Sequence, residues 1–239
     1  MFQNIAIFGS SGAIGHAIVN EIIMRHPTAT VHACTRSLHS NLPSSVHHHQ
    51  VDYTDESQLE TMALTLTKDQ PLDCVVIATG ILHTDTLQPE KTMRQISKET
   101  LDTVFTINTI IPTLIAKHML PVMTNRSRSV FAALSARVGS ISDNRLGGWY
   151  AYRASKSALN MIIKTLAIEQ RRRSPQSIVV GLHPGTVDSP LSKPFQTHVP
   201  PDRLFTPTYS AQQLVSVIDQ LSTDDSGSCI AWDGTHITP

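Results

Sequence analysis

The chain has no excess of charge of either sign: its 239 residues carry 19 Lys and Arg against 19 Asp and Glu. A broad basic field for nucleic acid or an anionic membrane surface is therefore not expected. Cysteine is scarce, with Cys34, Cys74 and Cys229 far apart and odd in number. That fits neither a disulfide framework nor the close pairs of a zinc site, and predicts buried free thiols in a reducing compartment. No apolar run approaches the roughly 18 residues of a membrane span, and the start "MFQNIAIFGS" lacks the basic segment of a signal peptide. The expectation is a soluble cytoplasmic protein acting on a small molecule, with no metal.

Present instead is an alternation of short apolar runs and amphipathic stretches. "NIAIF" (4–8) ends in a glycine-serine cluster, after which Ile14, Ile18 and Ile22 recur every four residues. This predicts strand, glycine turn and helix. "TVHACT" (30–35), a polar loop, "DESQLETMALTL" (55–66) and "DCVVIATG" (73–80) repeat the pattern. Further helices are expected over 97–120, 152–172 and 211–221, and strands over 129–134, 177–183 and 229–232. With no composition break or repeat, the expectation is one α/β domain of the Rossmann type over 1–239. Its doubly wound parallel sheet of about seven strands has helices on both faces. The proline-rich stretch 184–207 is expected as an extended loop over the site. "HHH" at 47–49 reads as a solvated loop before a strand, and "RRR" at 171–173 as the basic last turn of a helix.

Two places carry chemistry. In "FGSSGAIG", glycines 9, 12 and 15 lie between the first strand and helix, where backbone amides approach a pyrophosphate. His16 follows the last glycine, where a P-loop would place lysine. At the end of the second strand, where Asp or Glu would meet the ribose hydroxyls of NAD, stand Thr35 and Arg36. A guanidinium suits a 2′-phosphate, so NADP(H) is preferred and NAD(H) is the alternative. Later, "LSARVGSISDNRLGGWYAYRASK" (134–156) offers Tyr150 and Tyr152 before Lys156. Tyr152 and Lys156 are four apart and share a helix face, whereas Tyr150 has Ala154 at that spacing. An ammonium beside a phenol stabilises phenolate and lowers its pKa, which makes Tyr152 the candidate general acid/base; Tyr150 is expected to pack or line the pocket.

The glycine loop, "IATG" (77–80), Asn108 in "TINT", Ser135, "YRASK" (152–156) and "HPGTVDSP" (183–190) occur in one order over most of the chain. In these motifs the sequence resembles the short-chain dehydrogenase/reductase family, in its C-factor-like carbonyl-reductase branch. The resemblance implies Tyr152 as acid/base, Lys156 tuning it and holding the nicotinamide ribose, Ser135 orienting the carbonyl and Asn108 anchoring a relay water. It also implies cofactor contacts from Gly9, Ser11, Gly12, Ile14, Gly15, Arg36, Asp52, Gly80, Pro184, Gly185 and Val187, with Asp52 meeting the adenine amine or capping a helix. A homodimer or homotetramer built on the helices of Asn108 and Tyr152 follows from it too. Three departures stand out. The middle glycine is at 12 rather than 13, "IATG" replaces Asn-Asn-Ala-Gly, and "SARVG" permits two alignments. Without a gap Ala136 takes the serine's place; one extra residue in the turn restores Ser135, which is preferred because it ends the strand. The leading expectation is an NADPH-dependent reductase of a small aldehyde or ketone. The alternatives are an NAD-dependent alcohol dehydrogenase and a cofactor-binding developmental signalling protein with incidental turnover.

Overall fold

A computed structural model describes residues 1–37 and 42–239. The polar loop expected after the second strand lies partly outside the described residues. The first strand, β1 (Asn4–Phe8), is buried along its whole length, which a parallel strand covered on both faces requires. Ile5 and Ile7 point into one core layer with Ile18 and Ile22 of α1 (Ala13–Arg25). Ala6 and Phe8 point into the other, with Leu59 and Met62 of α2 (Glu56–Leu66).

The remaining strands are β2 (Thr30–Thr35), β3 (His47–Gln50), β4 (Cys74–Ile77), β5 (Ser129–Leu134), β6 (Ser177–His183), β7 (Thr186–Val187), β8 (Leu204–Phe205), β9 (Cys229–Ala231) and β10 (His236–Ile237). The main sheet has eight strands in the order β10-β9-β6-β5-β4-β1-β2-β3, with β10 antiparallel and the others parallel. The direction of winding reverses between β1 and β4, and a crevice opens there at the carboxyl ends of the strands. Gly9, Ala78, Ser135 and Pro184 each follow such an end. The strand count exceeds the expected seven because of β10, and β7 and β8 form a separate two-stranded pair within the stretch expected to be loop.

"HHHQ" is strand and not loop: β3 pairs in parallel with β2, His32 opposite His47 and Cys34 opposite His49. An edge strand does not need an apolar face, and its imidazoles are satisfied locally. The Asn4 amide donates to the Leu66 and Gln70 carbonyls, so its oxygen accepts from His32 Nε2 at 3.0 Å. His32 Nδ1 is then the acceptor for His49 Nε2 at 2.9 Å.

The helix expected over 97–120 is α3 (Lys98–Phe105) and α4 (Ile111–Met119) joined by a π-turn, Thr106–Ile110. Pro112 has no N–H for the carbonyl four residues back, that of Asn108, and the helix widens so that Ile111 N–H reaches Thr106 O. The long helix α5 (Tyr150–Arg173) begins two residues earlier than expected and ends on Arg171, Arg172 and Arg173. The last helix is α6 (Pro207–Gln220). All three cysteines are free and buried. Among the described residues no helix is long and apolar enough to cross a membrane, and no cluster of metal ligands occurs.

Burial lowers the pKa of His32 and of His183 to about 4. Their unfolded values lie near 6.5, so the unfolded chain binds more protons between the two values, and stability is lost as pH falls through that window. The urea midpoint is expected to decline from pH 6.5 to pH 4, and less steeply in His32→Gln; a flat profile would contradict the burial of these imidazoles.

Candidate active site

The site grows from two turns and one helix. At the first turn Gly9 has φ +81°, and a side chain there would lie 2.8 Å from the Ala78 carbonyl carbon. A Cβ on Gly15 would stand 2.3 Å from the Gly9 oxygen, so these two glycines serve helix and strand packing. Gly12 differs: a Cβ there would meet only the Gly9 oxygen at 3.5 Å, an ordinary contact. Its missing side chain therefore keeps open the space in front of α1, whose first turn has neither an acid nor a side-chain cap. The turn is held from outside by Tyr53, which sequence reasoning missed. Its hydroxyl donates to the Cys34 carbonyl at 2.8 Å and accepts from Gly9 N–H at 2.9 Å. Burial pushes that phenol well above its usual pKa.

Two cavities meet at Gly12, Ala78, Thr79 and Gly80. One of about 160 Å³ runs outward past Ser11 to Arg36 and Tyr53. The other, about 240 Å³, runs inward past Ile14 to Ser135, Tyr152, Lys156, Pro184 and Leu191. Gly80 is also open, with Asn108 Oδ1 and Lys156 Nζ the atoms nearest to a Cβ, at 3.6 and 3.7 Å. A groove with two side-chain-free positions, a bare helix amino terminus and a guanidinium at its outer end fits a dinucleotide phosphate.

Not every expected residue faces the groove. Gly185, at φ +77°, is required by the Phe205 ring 2.5 Å from its Cβ position, and Val187 pairs with Phe205 through β7 and β8. Asp52 is exposed on a separate cavity of about 650 Å³ that it shares with Arg36. The cap of α2 is Asp55, not Asp52; Asp52 Oδ1 instead accepts from Thr54 N–H and Oγ1, which holds its pKa low. Tyr150 lines neither of these cavities. Two residues before Tyr152 it lies some 200° round the helix, and it is exposed.

At the inner end Lys156 is 3% exposed, and its Nζ donates to the Leu134 carbonyl at 2.8 Å. The same nitrogen lies 5.9 Å from the centroid of the Tyr152 ring. Burial lowers Lys156 to about 8 and raises Tyr152 to about 12. The expected depression of the phenol by the lysine is thus not what this structure shows. The ammonium is tied to a backbone carbonyl, and desolvation dominates both groups.

Asn108 is wholly buried at the π-turn, its Oδ1 accepting from Ile81 N–H at 2.8 Å and its Nδ2 donating to Ile81 O and Ser155 Oγ. The side chain thus braces the loop after β4 against α5, while Pro112 leaves the Asn108 main-chain carbonyl without its usual donor. Ser135 lines the inner cavity and Ala136 does not; Ala136 opens the short 3-10 turn Arg137–Gly139. The Ser135 hydroxyl donates to Asn160 Oδ1 at 2.6 Å. Asn160 was also missed, although it stands four residues after Lys156 on the face that carries Tyr152 and Lys156.

Residues 3–200 match the family described as short chain dehydrogenase. A 1-hydroxy-2-glutathionyl-2-methyl-3-butene dehydrogenase of Rhodococcus is 32% identical over 78% of this chain and 77% of its own. The C-signal protein of Myxococcus xanthus is 35% identical over 56% of this chain and 75% of its own. Among solved structures, the carbonyl reductase Sniffer of D. melanogaster superposes with a TM-score of 0.86 at 23% identity, covering all of both chains. The NADPH-bound carbonyl reductase from chicken fatty liver gives 0.85 at 22% identity over 99% of each.

Because a Cβ fits at Gly12 but not at Gly15, the two positions should separate. Gly12→Ala is expected to change stability by no more than about 1 kcal/mol yet to weaken dinucleotide binding at least tenfold. Gly15→Ala should cost folding itself. Calorimetric titration and urea unfolding read the two effects, and unchanged affinity in Gly12→Ala would mean that the groove is not the binding site.

Proposed function

The chain belongs to the short-chain dehydrogenase family of oxidoreductases, and from that premise we propose that it reduces a small aldehyde or ketone to an alcohol with NADPH. The observation that carries the reading is a single groove with Arg36 at one end and the Tyr152–Lys156 pair at the other. The NADP(H) preference rests on Arg36, and the NADPH carried by the chicken liver reductase of the same fold agrees with it.

When bound, the nicotinamide would supply the hydride. Tyr152, held neutral by burial, donates its hydroxyl proton to the substrate oxygen as that oxygen gains charge. Lys156 contributes a buried positive charge that stabilises the resulting phenolate and offers its remaining N–H groups to the nicotinamide ribose. Ser135, by turning its hydroxyl from Asn160 to the carbonyl oxygen, would orient the substrate and share its developing charge. Asn108 positions Gly80 and Ile81 through its side chain, and its main-chain carbonyl is the candidate anchor for a relay water. Arg36 would hold the 2′-phosphate, with Asp52 beside it at the adenine end. Tyr150, Met161 and Ile168, exposed along α5, together with Ile110 of the π-turn, support self-association of these helices.

A second reading is a cofactor-binding signalling protein. The likeness to C-signal and the engagement of Ser135 by Asn160 favour it.

NADPH oxidation over a panel of aldehydes and ketones decides between the two. Tyr152→Phe is expected to lower kcat at least about a hundredfold with NADPH affinity retained; NADPH binding without turnover of any carbonyl would favour the second reading. Arg36→Asp should weaken NADPH far more than NADH, and equal weakening would remove the NADP assignment. Since burial lowers Lys156 to about 8, the reductive kcat/KM is expected to fall as pH rises through that value. A rate that climbs across it would contradict the charged-lysine role.

A further inference from the structure

Trp149 is the one non-glycine residue at positive φ among the described residues, with φ 51° and ψ 46°. Bulky side chains avoid this region, and such outliers gather where a site needs them. The two preceding residues, Gly147 and Gly148, also have positive φ. A third glycine would complete the turn without strain, so the indole calls for its own explanation.

The backbone at Trp149 is clamped. Its N–H donates to the Glu90 carbonyl at 2.5 Å, and its carbonyl accepts from Arg153 N–H at 2.8 Å. The Glu90 side chain is buried, and its Oε2 accepts from Ala151 N–H at 3.2 Å, capping the first turn of α5. The clamp sets the indole edge-on to the Tyr152 ring, centroids 6.1 Å apart. It also sets it edge-on to Phe195 at 5.1 Å, and Phe195 meets His83 at 5.6 Å in the same manner. His83 Nε2 is in turn 3.0 Å from the carbonyl of Pro190, a residue that lines the inner cavity. The indole therefore stands beside the phenol, and Phe195 and His83 continue a row of rings from it toward Pro190. A carbonyl compound whose oxygen reaches Tyr152 has to place a substituent near them.

We propose that Trp149, with Phe195, is a specificity-determining subsite that takes a flat aromatic or conjugated substituent of the carbonyl substrate. The proposal rests on the reductase reading of the site. A flat ring can pack edge-on or offset against the partly exposed indole, a geometry that the indole already uses toward Tyr152 and Phe195. A puckered saturated ring of the same size lacks the π-face and gains burial alone. The strained backbone is kept because it aims the indole at that position.

The chain has two tryptophans, so Trp232→Phe leaves Trp149 as the one indole reporter while keeping a ring against Phe205. With NADP present, acetophenone and cyclohexyl methyl ketone are titrated against its fluorescence, and the same pair is titrated by calorimetry against Trp149→Gly and Phe195→Leu in the otherwise unaltered chain. The expected result is saturable quenching by acetophenone at a Kd about fivefold or more below that of the cyclohexyl ketone. This preference falls to about one in Trp149→Gly, whose thermal midpoint is not lowered because glycine accepts the turn, and falls at least twofold in Phe195→Leu. Equal affinity for the two ketones, or a preference that survives in Trp149→Gly, overturns the proposal. Should Trp149→Gly not fold, a preference undiminished in Phe195→Leu overturns it alike. Aryl preference in binding without any NADPH oxidation keeps the subsite and removes the reductase reading, so the two failures are distinguishable.

Discussion

A buried ammonium with one backbone acceptor is the constraint around which the catalytic end is arranged. Lys156 lies under the carboxyl end of β5, and the Leu134 carbonyl is the group that answers its charge. Burying an ammonium is costly unless it is hydrogen-bonded and has charge to meet. The arrangement therefore requires the strand to end where it does, so that Leu134 offers its carbonyl to the helix rather than to a neighbouring strand. It also requires α5 to press against the 3-10 turn Arg137–Gly139, where a Cβ on Gly139 would come within 2.9 Å of Lys156. The glycine common to the family motif is accounted for by that approach of helix and turn.

The same end of the sheet is braced by polar side chains from α5 and its neighbours. In place of the family pattern Asn-Asn-Ala-Gly, "IATG" has no amide side chains to tie the strand ends together, and other groups do so. Asn108 holds both backbone groups of Ile81, Ser155 joins Asn108 to the Tyr152 carbonyl, and Thr109 Oγ1 donates to the Ser155 carbonyl. Tyr53 does the corresponding work at the glycine turn. Position of the reactive groups is thus set by a network that couples the π-turn, the loop after β4 and the first turns of α5.

The parts of this architecture carried by periodicity were legible in the sequence. Burial on both faces writes β1, β4, β5 and β6 as largely apolar runs, and the four-residue spacing of Tyr152 to Lys156 places them on one helix face. β3 was hidden because an edge strand of histidines has no apolar alternation, its stability coming from Asn4, His32 and His49 across three strands. The π-turn was hidden because a proline inside an amphipathic pattern does not say whether a helix breaks, kinks or widens. Glu90 and Trp149 meet across 59 positions of chain, and neither spacing nor composition brings them together. The partner of Ser135 was legible in the sequence: Asn160 continues the i, i+4 series of Tyr152 and Lys156.

Desolvation acts on the reactive pair in opposite senses, and the result has a direction. Taking water from Tyr152 favours the neutral phenol and taking it from Lys156 favours the neutral amine, so desolvation by itself disfavours the phenolate-ammonium form. A phenol raised to about 12 is present as the neutral acid at neutral pH, and it remains more acidic than the alcohol that hydride addition would yield. In the proposed reduction, proton transfer from Tyr152 to the alkoxide oxygen would be downhill, and the phenolate would lie on the ring whose centroid is 5.9 Å from Lys156 Nζ, where its charge has a counterpart. On the proposed reading, the pair therefore presents a proton donor at neutral pH, with the base form reached once Lys156 meets the phenolate.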